Sequence, residues 1–285
     1  MLNKSIKSPE NIPVPKIHPF EGNPYKVLDN EEMNFLIESI QQQGIISPVV
    51  VRPLENTTDE YELISGHRRM RASQKAGLET VPAFIYAINR DEAAIMLVDS
   101  NLHREHILPS EKAFAYKLKL EALRHQGQTS RHLGEKWSVT QISESANESE
   151  RQIHRYIRLT YLIPELLDLV DEKRIAFTPA VELSYLNEVE QADLVEEISV
   201  CDATPNLSQA QRLRAISREE GLTPEDIGEI LAEEKANQRP TVKFSVERLQ
   251  KVAPKVKESD LENFVMKACE HYYRYLQRQR NRDAR

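Results

Sequence analysis

A change in the spacing of apolar residues near Asp91 constrains the fold of this chain more than any other sequence feature. Before that residue, short β-branched or alternating runs have the period of β-strands. After it, apolar residues recur at helical spacing almost to residue 235. We therefore predict an α+β protein of 285 residues: a small α/β module, then an all-helical domain, then a small C-terminal segment.

The predicted α/β module occupies residues 20–100, after a lead-in over residues 1–19 whose four prolines favour an extended chain. A helix is predicted over residues 30–43, because Asn30 can cap it and Gly44 can end it. Apolar residues also recur on one face of that segment. The remaining predicted elements are strands at 48–53, 60–65 and 81–86, and a helix from Gly66 to about Ala76.

The sharpest local chemistry is the sequence SGHRRMRA at residues 65–72, where a predicted strand runs into a predicted helix. Gly66 permits close approach to the backbone, and the first turn of the helix offers free N–H groups at the positive end of its dipole. Arg68, Arg69 and Arg71 add guanidinium groups whose geometry matches phosphate oxygens. This combination predicts an oligophosphate site. The alternative is a solvated helix face with scattered ion pairs.

A second polar cluster lies at residues 99–105. Asp99 and Asn101 offer oxygen atoms that suit a hydrated Mg²⁺ ion, and Arg104 could reach a phosphate. His103 and His106 lie three residues apart, but no further ligand residue is near them in the sequence. For these two histidines, solvent exposure or a capping role is favoured over metal binding.

Residues 139–159 have the spacing of a helix-turn-helix. We predict that Thr140 caps the first helix and that Asn147 occupies the turn, because Asn tolerates a left-handed backbone. Ser149 is predicted to cap the second helix, with Gln152 completing a capping box. The residues predicted to face the core are Ile142, Ile153, Ile157 and Leu159.

The second helix of this motif presents arginines at i, i+4 and i+7 on one face. Its first turns, with Ser149, Arg151, Gln152 and Arg155, are predicted to contact DNA in the major groove, since Arg pairs well with guanine and Gln with adenine. Arg158, further along, is predicted to meet a phosphate. Additional backbone contacts are expected from Arg131 and Lys136. The alternative is an ordinary amphipathic helix with a basic outer face.

Charge is distributed unevenly along the chain, whose net charge is −7. Residues 219–235 are acidic and residues 271–285 are basic, which indicates separate surfaces rather than a protein that coats nucleic acid. A helical DNA-binding domain is predicted over 101–235, and residues 237–241 are read as a linker. The segment 242–285, with a strand-like start and a helix from about Asp260, is predicted to dimerise or to contact DNA nonspecifically. A frayed helix end is the alternative.

Three boxes of this sequence resemble those of the ParB partition family. GHRRMRA (66–72) resembles the GERRxRA box, with His67 in place of Glu, and SNLHRE (100–105) resembles the ENLQRE box, with Ser100 in place of Glu. Residues 23–53 resemble the first box, although Tyr25-Lys26-Val27 stands where the family has a Pro-Arg pair. With the helix-turn-helix, the resemblance extends from about residue 20 to residue 190, and it is to the plasmid or mobile-element kind.

The resemblance implies that the front domain binds CTP with Mg²⁺ and hydrolyses the nucleotide slowly, and that CTP closes a dimeric clamp around DNA. It also implies double-stranded DNA, a second copy of the chain and a ParA-type ATPase as partners. The expected place is the cytoplasm, in association with the nucleoid, since no run of about 18 apolar residues and no secretory leader is found. By position, the nucleotide contacts would be Gly66, Arg68, Arg69, Arg71, Asn101 and Arg104.

Two other functions remain open at this point. One is a transcription regulator that binds DNA without a nucleotide. The other is an ATP-using enzyme, because related front modules occur in kinases and in sulfiredoxin. Sulfiredoxin's reactive Cys would lie beside Gly66, but Ser65 and His67 flank Gly66 here, so sulfiredoxin activity is not expected. A stand-alone enzyme would also not need a helix-turn-helix.

Overall fold

The computed structural model describes residues 8–233 except Asn56, His103, Glu105 and 127–130, and then Leu249, Val256 and 260–283. Side chains are not described at 131–137, Glu262 and 278–283. The described residues confirm the predicted α+β class. The described residues up to Glu233 form one compact unit, and the described residues after Glu233 belong to a second.

A mixed five-stranded sheet, in the order β1-β5-β3-β4-β2, organises the front of the first unit. The β1/β5 and β3/β4 pairs are antiparallel, and the β5/β3 and β4/β2 pairs are parallel. Helices α1 and α2 pack against each other beside it, on a cluster that includes Met33, Ile40 and Ala72. The elements are β1 (Glu10–Pro13), β2 (Ile17–Pro19), α1 (Glu31–Gln43), β3 (Val49–Pro53), β4 (Tyr61–Ser65), α2 (His67–Ala76) and β5 (Thr80–Ile85).

The predicted lead-in differs from the structure, because the chain belongs to the sheet from Glu10 onward. Ile12 of β1 lies opposite Val81 of β5, and Ile17 of β2 lies opposite Tyr61 of β4. Both isoleucines are buried in the core of the sheet. Such short strands depend on partners far along the chain, so the local pattern around the prolines carries no sign of them.

Helices make up the rest of the first unit, as the apolar spacing predicted. Helix α4 joins its two halves. Ala115 and Ala122 of α4 share a cluster with Tyr25 and α3, whereas Tyr116 packs with Ile142 and Ile153. The predicted boundary at 100/101 therefore lies within one compact unit. The helices are α3 (Arg90–Asn101), α4 (Pro109–Gln126), α5 (Arg131–Ala146), α6 (Glu150–Leu159), α7 (Pro164–Asp171), α8 (Phe177–Leu183), α9 (Glu188–Cys201), α10 (Leu207–Glu219) and α11 (Pro224–Ala232).

The described part of the second unit is mainly one 23-residue helix, α12 (Leu261–Asp283). It begins where the sequence predicted a helix, near Asp260. The predicted linker and the strand-like run over 241–246 lie outside the described residues. No described helix combines the length and the apolar character that crossing a bilayer requires.

Candidate functional sites

A left-handed glycine forms the turn between β4 and α2. Gly66 has φ +98°, a conformation that side chains other than glycine rarely adopt. A Cβ atom there would lie 2.9 Å from Val49 Cγ1 and 3.1 Å from Arg69 Nη2. Glycine is thus required twice, by the backbone and by the neighbouring atoms. The turn leaves the first N–H groups of α2 at the end of the helix, where an anion is favoured.

The three arginines of α2 all have partners within the protein. Arg68 pairs with Glu32 at 2.9 Å and Arg71 pairs with Asp29 at 3.0 Å, both at the surface. Hydrogen bonds from Arg71 and Lys75 lower the pKa of Asp29 to about 2. Surface pairs of this kind contribute only about 0–1 kcal/mol, so a phosphate could replace either carboxylate at little cost.

Arg69 differs from the other two because its guanidinium is half-buried. Its Nη1 donates to the carbonyl oxygens of Ser47 and, at 2.7 Å, Pro48, which precede β3. Burial lowers the pKa of this guanidinium below its usual value. The geometry makes Arg69 a residue that holds the start of β3 against the Gly66 turn.

The second predicted segment begins in the last turn of α3. Asn101 is buried at the end of α3, where its Nδ2 donates to the carbonyl of Leu97 at 2.7 Å. The Asp99 carboxylate accepts from Lys119, a buried cation of α4 that the sequence analysis did not single out. Residues two apart on a helix do not share a face, so Asp99 and Asn101 do not converge on one ion.

Arg104 connects the two segments. Its guanidinium lies over the ring of Tyr25 at 5.6 Å from the centroid. Burial, with a smaller contribution from the Arg104 charge, lowers the pKa of His67 to about 4. The Nε2 atom of His67 and the hydroxyl of Tyr25 are buried and have no hydrogen-bond partner among the described residues. Neutral polar groups and a cation therefore meet beside the Gly66 turn.

Metal clusters built from several acidic, His or Cys residues are not found in the described part of the chain. His106 is exposed, which agrees with the expectation from the sequence, and His103 lies outside the described residues. Any divalent ion at this site would have to take most of its ligands from water or from phosphate oxygens.

The helix-turn-helix is formed by α5 and α6. Asn147 has φ +53°, as predicted for the turn, and the hydroxyl of Ser149 accepts from the N–H of Gln152. Ser143 Oγ also donates to the carbonyl of Glu148 at 2.6 Å, which holds the turn closed. The predicted core positions of α6, Ile153, Ile157 and Leu159, are buried or partly buried.

Two details of the predicted motif are wrong. Helix α5 begins at Arg131, so Thr140 lies inside it and donates to Glu150 Oε1 at 2.6 Å instead of capping. The helix extends because residues 131–139 contain no proline. The capping box is half-formed, since Gln152 Oε1 accepts from Arg155 Nη1 at 3.2 Å rather than from the backbone of Ser149.

The arginines of α6 are held to different degrees. Arg151 is exposed and has no ion-pair or hydrogen-bond partner among the described residues. Arg155 donates to Thr178 Oγ1 at 2.8 Å. Arg158 donates to the hydroxyl and the carbonyl of Ser184 at 3.1 and 2.7 Å. The first turn of α6 is thus free to reach a ligand, whereas Arg158 ties the helix to the end of α8.

Several cations, two from the predicted helix-turn-helix contacts and three from the basic segment 271–285, lie where no side chain is described. These are Arg131, Lys136, Arg278, Arg280 and Arg282. On the described part of α12, Tyr272 and Tyr275 are exposed and their rings stack at 6.2 Å.

Comparison with known proteins finds similarity over most of the first unit. Residues 2–102 match the family model described as the ParB N-terminal domain. Over 201 residues the chain is 30% identical to a nucleoid occlusion protein of Listeria innocua. The matched region makes up 70% of this chain and 65% of that one. It is 33% identical over 172 residues to a probable chromosome-partitioning protein ParB of Neisseria meningitidis, over 60% of this chain and 54% of that one. The chain thus spans about two thirds of the length of the first relative and about half of the second.

Solved structures give a weaker likeness. The C-terminally truncated chromosome-partitioning protein ParB of Caulobacter crescentus, complexed to the centromeric parS site, has a TM-score of 0.42 and 20% identity. The matched region makes up 72% of this chain and 98% of that one. The same Caulobacter crescentus protein complexed with CTP-gamma-S has a TM-score of 0.33 and 22% identity, over 68% of this chain and 99% of that one.

Proposed function

The chain belongs to the ParB family, and on that premise we propose that it is a sequence-specific DNA-binding protein that acts in the partition of a chromosome, a plasmid or a mobile element. The observation that carries the proposal is the first turn of α6. Ser149 caps this turn, and Arg151 extends from it into solvent with no protein partner in the described part of the chain. A capped helix with a free arginine at its start is the arrangement that enters a major groove.

The other polar residues of α6 support this role from fixed positions. Gln152 lies one residue from Arg151, and its side chain holds the Nη1 of Arg155. Arg155 in turn is bound to Thr178, so its guanidinium is oriented before DNA arrives. Arg158 is proposed as a positioning residue, because its Nε and Nη2 bind Ser184, and its Nη1 is proposed for the phosphate contact expected from the sequence.

The first test of DNA binding is selection of a sequence from random duplexes, followed by titration of variants. Arg151→Ala should weaken binding to the selected site about 10- to 100-fold and relax the preference at one base pair. Lys173→Ala, an exposed cation outside α6, is the matched control. Equal binding by wild type and Arg151→Ala would rule out α6 as the helix that reads the sequence.

We further propose that the Gly66 turn binds the triphosphate of CTP and that the bound nucleotide switches DNA binding. The turn fits a phosphate, because no side chain caps α2 at Gly66 and the first N–H groups of the helix have no partner within it. Arg68 and Arg71 can exchange exposed carboxylates for phosphate oxygens, and Arg104 faces the same turn. Asn101 would hold Mg²⁺, which would neutralise phosphate charge when bound.

Hydrolysis at this site should be slow. His67 is the titratable group nearest the turn, and the burial that lowers its pKa to about 4 makes it a weak base. Calorimetric titration with CTP, ATP, GTP and UTP, with and without the selected DNA, tests the nucleotide proposal. If none of the four binds, a transcription regulator that works without a nucleotide is the remaining function. If ATP alone binds and DNA does not, an enzyme is favoured.

The remaining partners are proposed from the same premise: a second copy of the chain, a ParA-type ATPase and a site of action on the nucleoid in the cytoplasm. Two copies would place two α6 helices on a palindromic site and multiply weak half-site contacts. Light scattering with and without DNA tests the dimer; a monomer in both conditions would refute it.

Nucleoid occlusion is a second candidate function, because relatives over the same region carry that name. The two functions differ in where the protein must bind. Partition requires binding sites gathered at one locus, whereas occlusion of a whole nucleoid requires sites spread over it. Sequencing the DNA that co-purifies with the protein from cells would separate them.

A further inference from the structure

Beside the arginine face of α6, cations of α4, α6 and α10 alternate in a row with tyrosines of the turns that follow α6 and α8. We call it the cation–aromatic ridge, and its members are Lys117, Tyr161, Arg158, Tyr185 and Arg214. The Arg158 guanidinium lies 4.5 Å from the ring centroid of Tyr161 and 4.0 Å from that of Tyr185. Arg214 lies 3.5 Å from the Tyr185 centroid, and the Lys117 ammonium lies 5.9 Å from the Tyr161 centroid.

Tyr185 is enclosed between two guanidinium groups. Two guanidinium carbons within 4.0 Å of one centroid cannot lie on the same face of the ring without colliding, so Arg158 and Arg214 cover opposite faces. The tyrosines remain accessible at their edges, with 45% of Tyr185 and 58% of Tyr161 exposed. At Tyr185 the ridge therefore presents guanidinium groups and the edge of the ring, not an open ring face.

The ridge carries more positive charge than its neighbours neutralise. Arg158 bonds only to neutral oxygens of Ser184, and Lys117 has no ion-pair partner among the described residues. Arg214 pairs with Glu182 at 2.7 Å. Three cations thus face a single carboxylate, which leaves a local positive field on a chain whose net charge is negative.

We propose that the cation–aromatic ridge is a second contact to the DNA backbone, flanking the base pairs that α6 reads. The covered faces of Tyr185 leave no room for the base stacking by which single strands bind, whereas the N–H groups of the cations suit phosphate oxygens. Arg158 belongs both to the ridge and to the arginine face of α6, so one surface is continuous with the other. This inference rests on the proposed DNA binding and adds to its footprint.

The test compares two duplexes that carry the selected site, one without flanking sequence and one extended by about one helical turn on each side. Lys117→Ala and Arg214→Ala are titrated on both at several salt concentrations. Each variant should weaken binding to the extended duplex several-fold and lower its salt slope by about 1, because one phosphate contact is lost. Both should bind the short duplex as wild type does.

Arg212→Ala is the matched control. Arg212 lies on α10 two residues from Arg214, is exposed and pairs with Glu233 instead of the ridge. Arg212→Ala removes one positive charge from the same helix as Arg214→Ala does, but it should leave the salt slope of DNA binding unchanged. A change equal to that of Arg214→Ala would mean that net charge, not the ridge, is being measured, and would overturn the proposal.

Stability is measured alongside, because Arg214 packs against Tyr185. If Arg214→Ala melts at a lower temperature than wild type, Lys117→Ala decides the question, since it removes only the outermost cation. Wild-type slopes for both Lys117→Ala and a stably folded Arg214→Gln, with normal binding by the parent chain, would overturn the ridge alone. Absence of DNA binding by the parent chain would instead overturn the proposed function.

Discussion

The arginines of α2 and those of α6 use the same side chain in opposite ways. Arg68 and Arg71 face carboxylates at the surface, so their charges are neutralised within the protein. Arg155 and Arg158 bind the neutral oxygens of Thr178 and Ser184 and lie against aromatic rings, so their charge is kept while their geometry is fixed. An arginine paired with a surface carboxylate can exchange its partner, whereas one held by neutral groups presents a permanent positive surface. The first arrangement suits a switch, and the second suits a constant DNA contact.

Acid should affect the α2 region most. His67 at the start of α2 has a pKa of about 4 in the fold, below the ordinary value of 6.5, because burial disfavours its charged form. Protonation then favours the unfolded chain, so the stability held above pH 6.5 should fall as the pH drops from 6.5 towards 4, by on the order of 3 kcal/mol. Denaturant titrations of wild type and His67→Gln across this range measure the loss. His154→Gln, which replaces an exposed histidine of α6, is the control. If the free energy of unfolding of His67→Gln changes with pH as that of wild type does, the burial argument is contradicted.

The next largest effect should come from Gly66→Ala. A left-handed alanine costs about 2 kcal/mol, and its Cβ would press on Val49 and Arg69. Nucleotide binding by calorimetry should be lost while DNA binding without nucleotide persists. Gly22→Ala separates backbone strain from steric contact, because Gly22 also has a positive φ but nothing lies within 4 Å of its Cβ position. Intact nucleotide binding by a folded Gly66→Ala protein would move the phosphate site elsewhere.

Replacing one arginine of α6 and one of α2 by alanine tests directly whether the protein holds the two sets of arginines differently. Arg158→Ala removes two hydrogen bonds that a charged donor makes to the buried Ser184. The free energy of unfolding should therefore fall by about 1.5–3 kcal/mol. Arg68→Ala removes an exposed ion pair and should cost less than about 1 kcal/mol. Urea denaturation of both variants measures the difference. Equal losses would mean that the two sets of arginines are held alike.

The smallest effect should be a gain. Glu32→Gln removes the carboxylate that competes for Arg68, so CTP should bind up to about 5-fold more tightly. Glu38→Gln, an exposed acid on the same helix, is the control. Weaker binding in Glu32→Gln than in Glu38→Gln would show that Arg68 is not a phosphate ligand.

Sequence reasoning succeeded where a structural signal is local. Asn30 and Gly44 bound α1 as predicted, and Asn147 adopts the left-handed turn between α5 and α6. It failed where partners lie far apart in the chain. The strand containing Ile12 depends on Val81, and the ion pair between Asp99 and Lys119 depends on the packing of α3 against α4. The arginines of α2 were found as a group, but only the fold separates Arg69, which holds β3, from the two that can release their partners.

Helix α4 has a consequence for how such chains can recombine. Its 18 residues give a rod of about 27 Å, with Ala115 and Ala122 on the side of the sheet module and Tyr116 on the side of the helix-turn-helix. Each half completes its hydrophobic core with part of the same helix. A crossover at the predicted boundary near residue 100 would leave α4 facing a foreign α3. A functional hybrid with a related front module would therefore have to inherit α3 and α4 together, and redesign the contacts of α4 with α5 and α6.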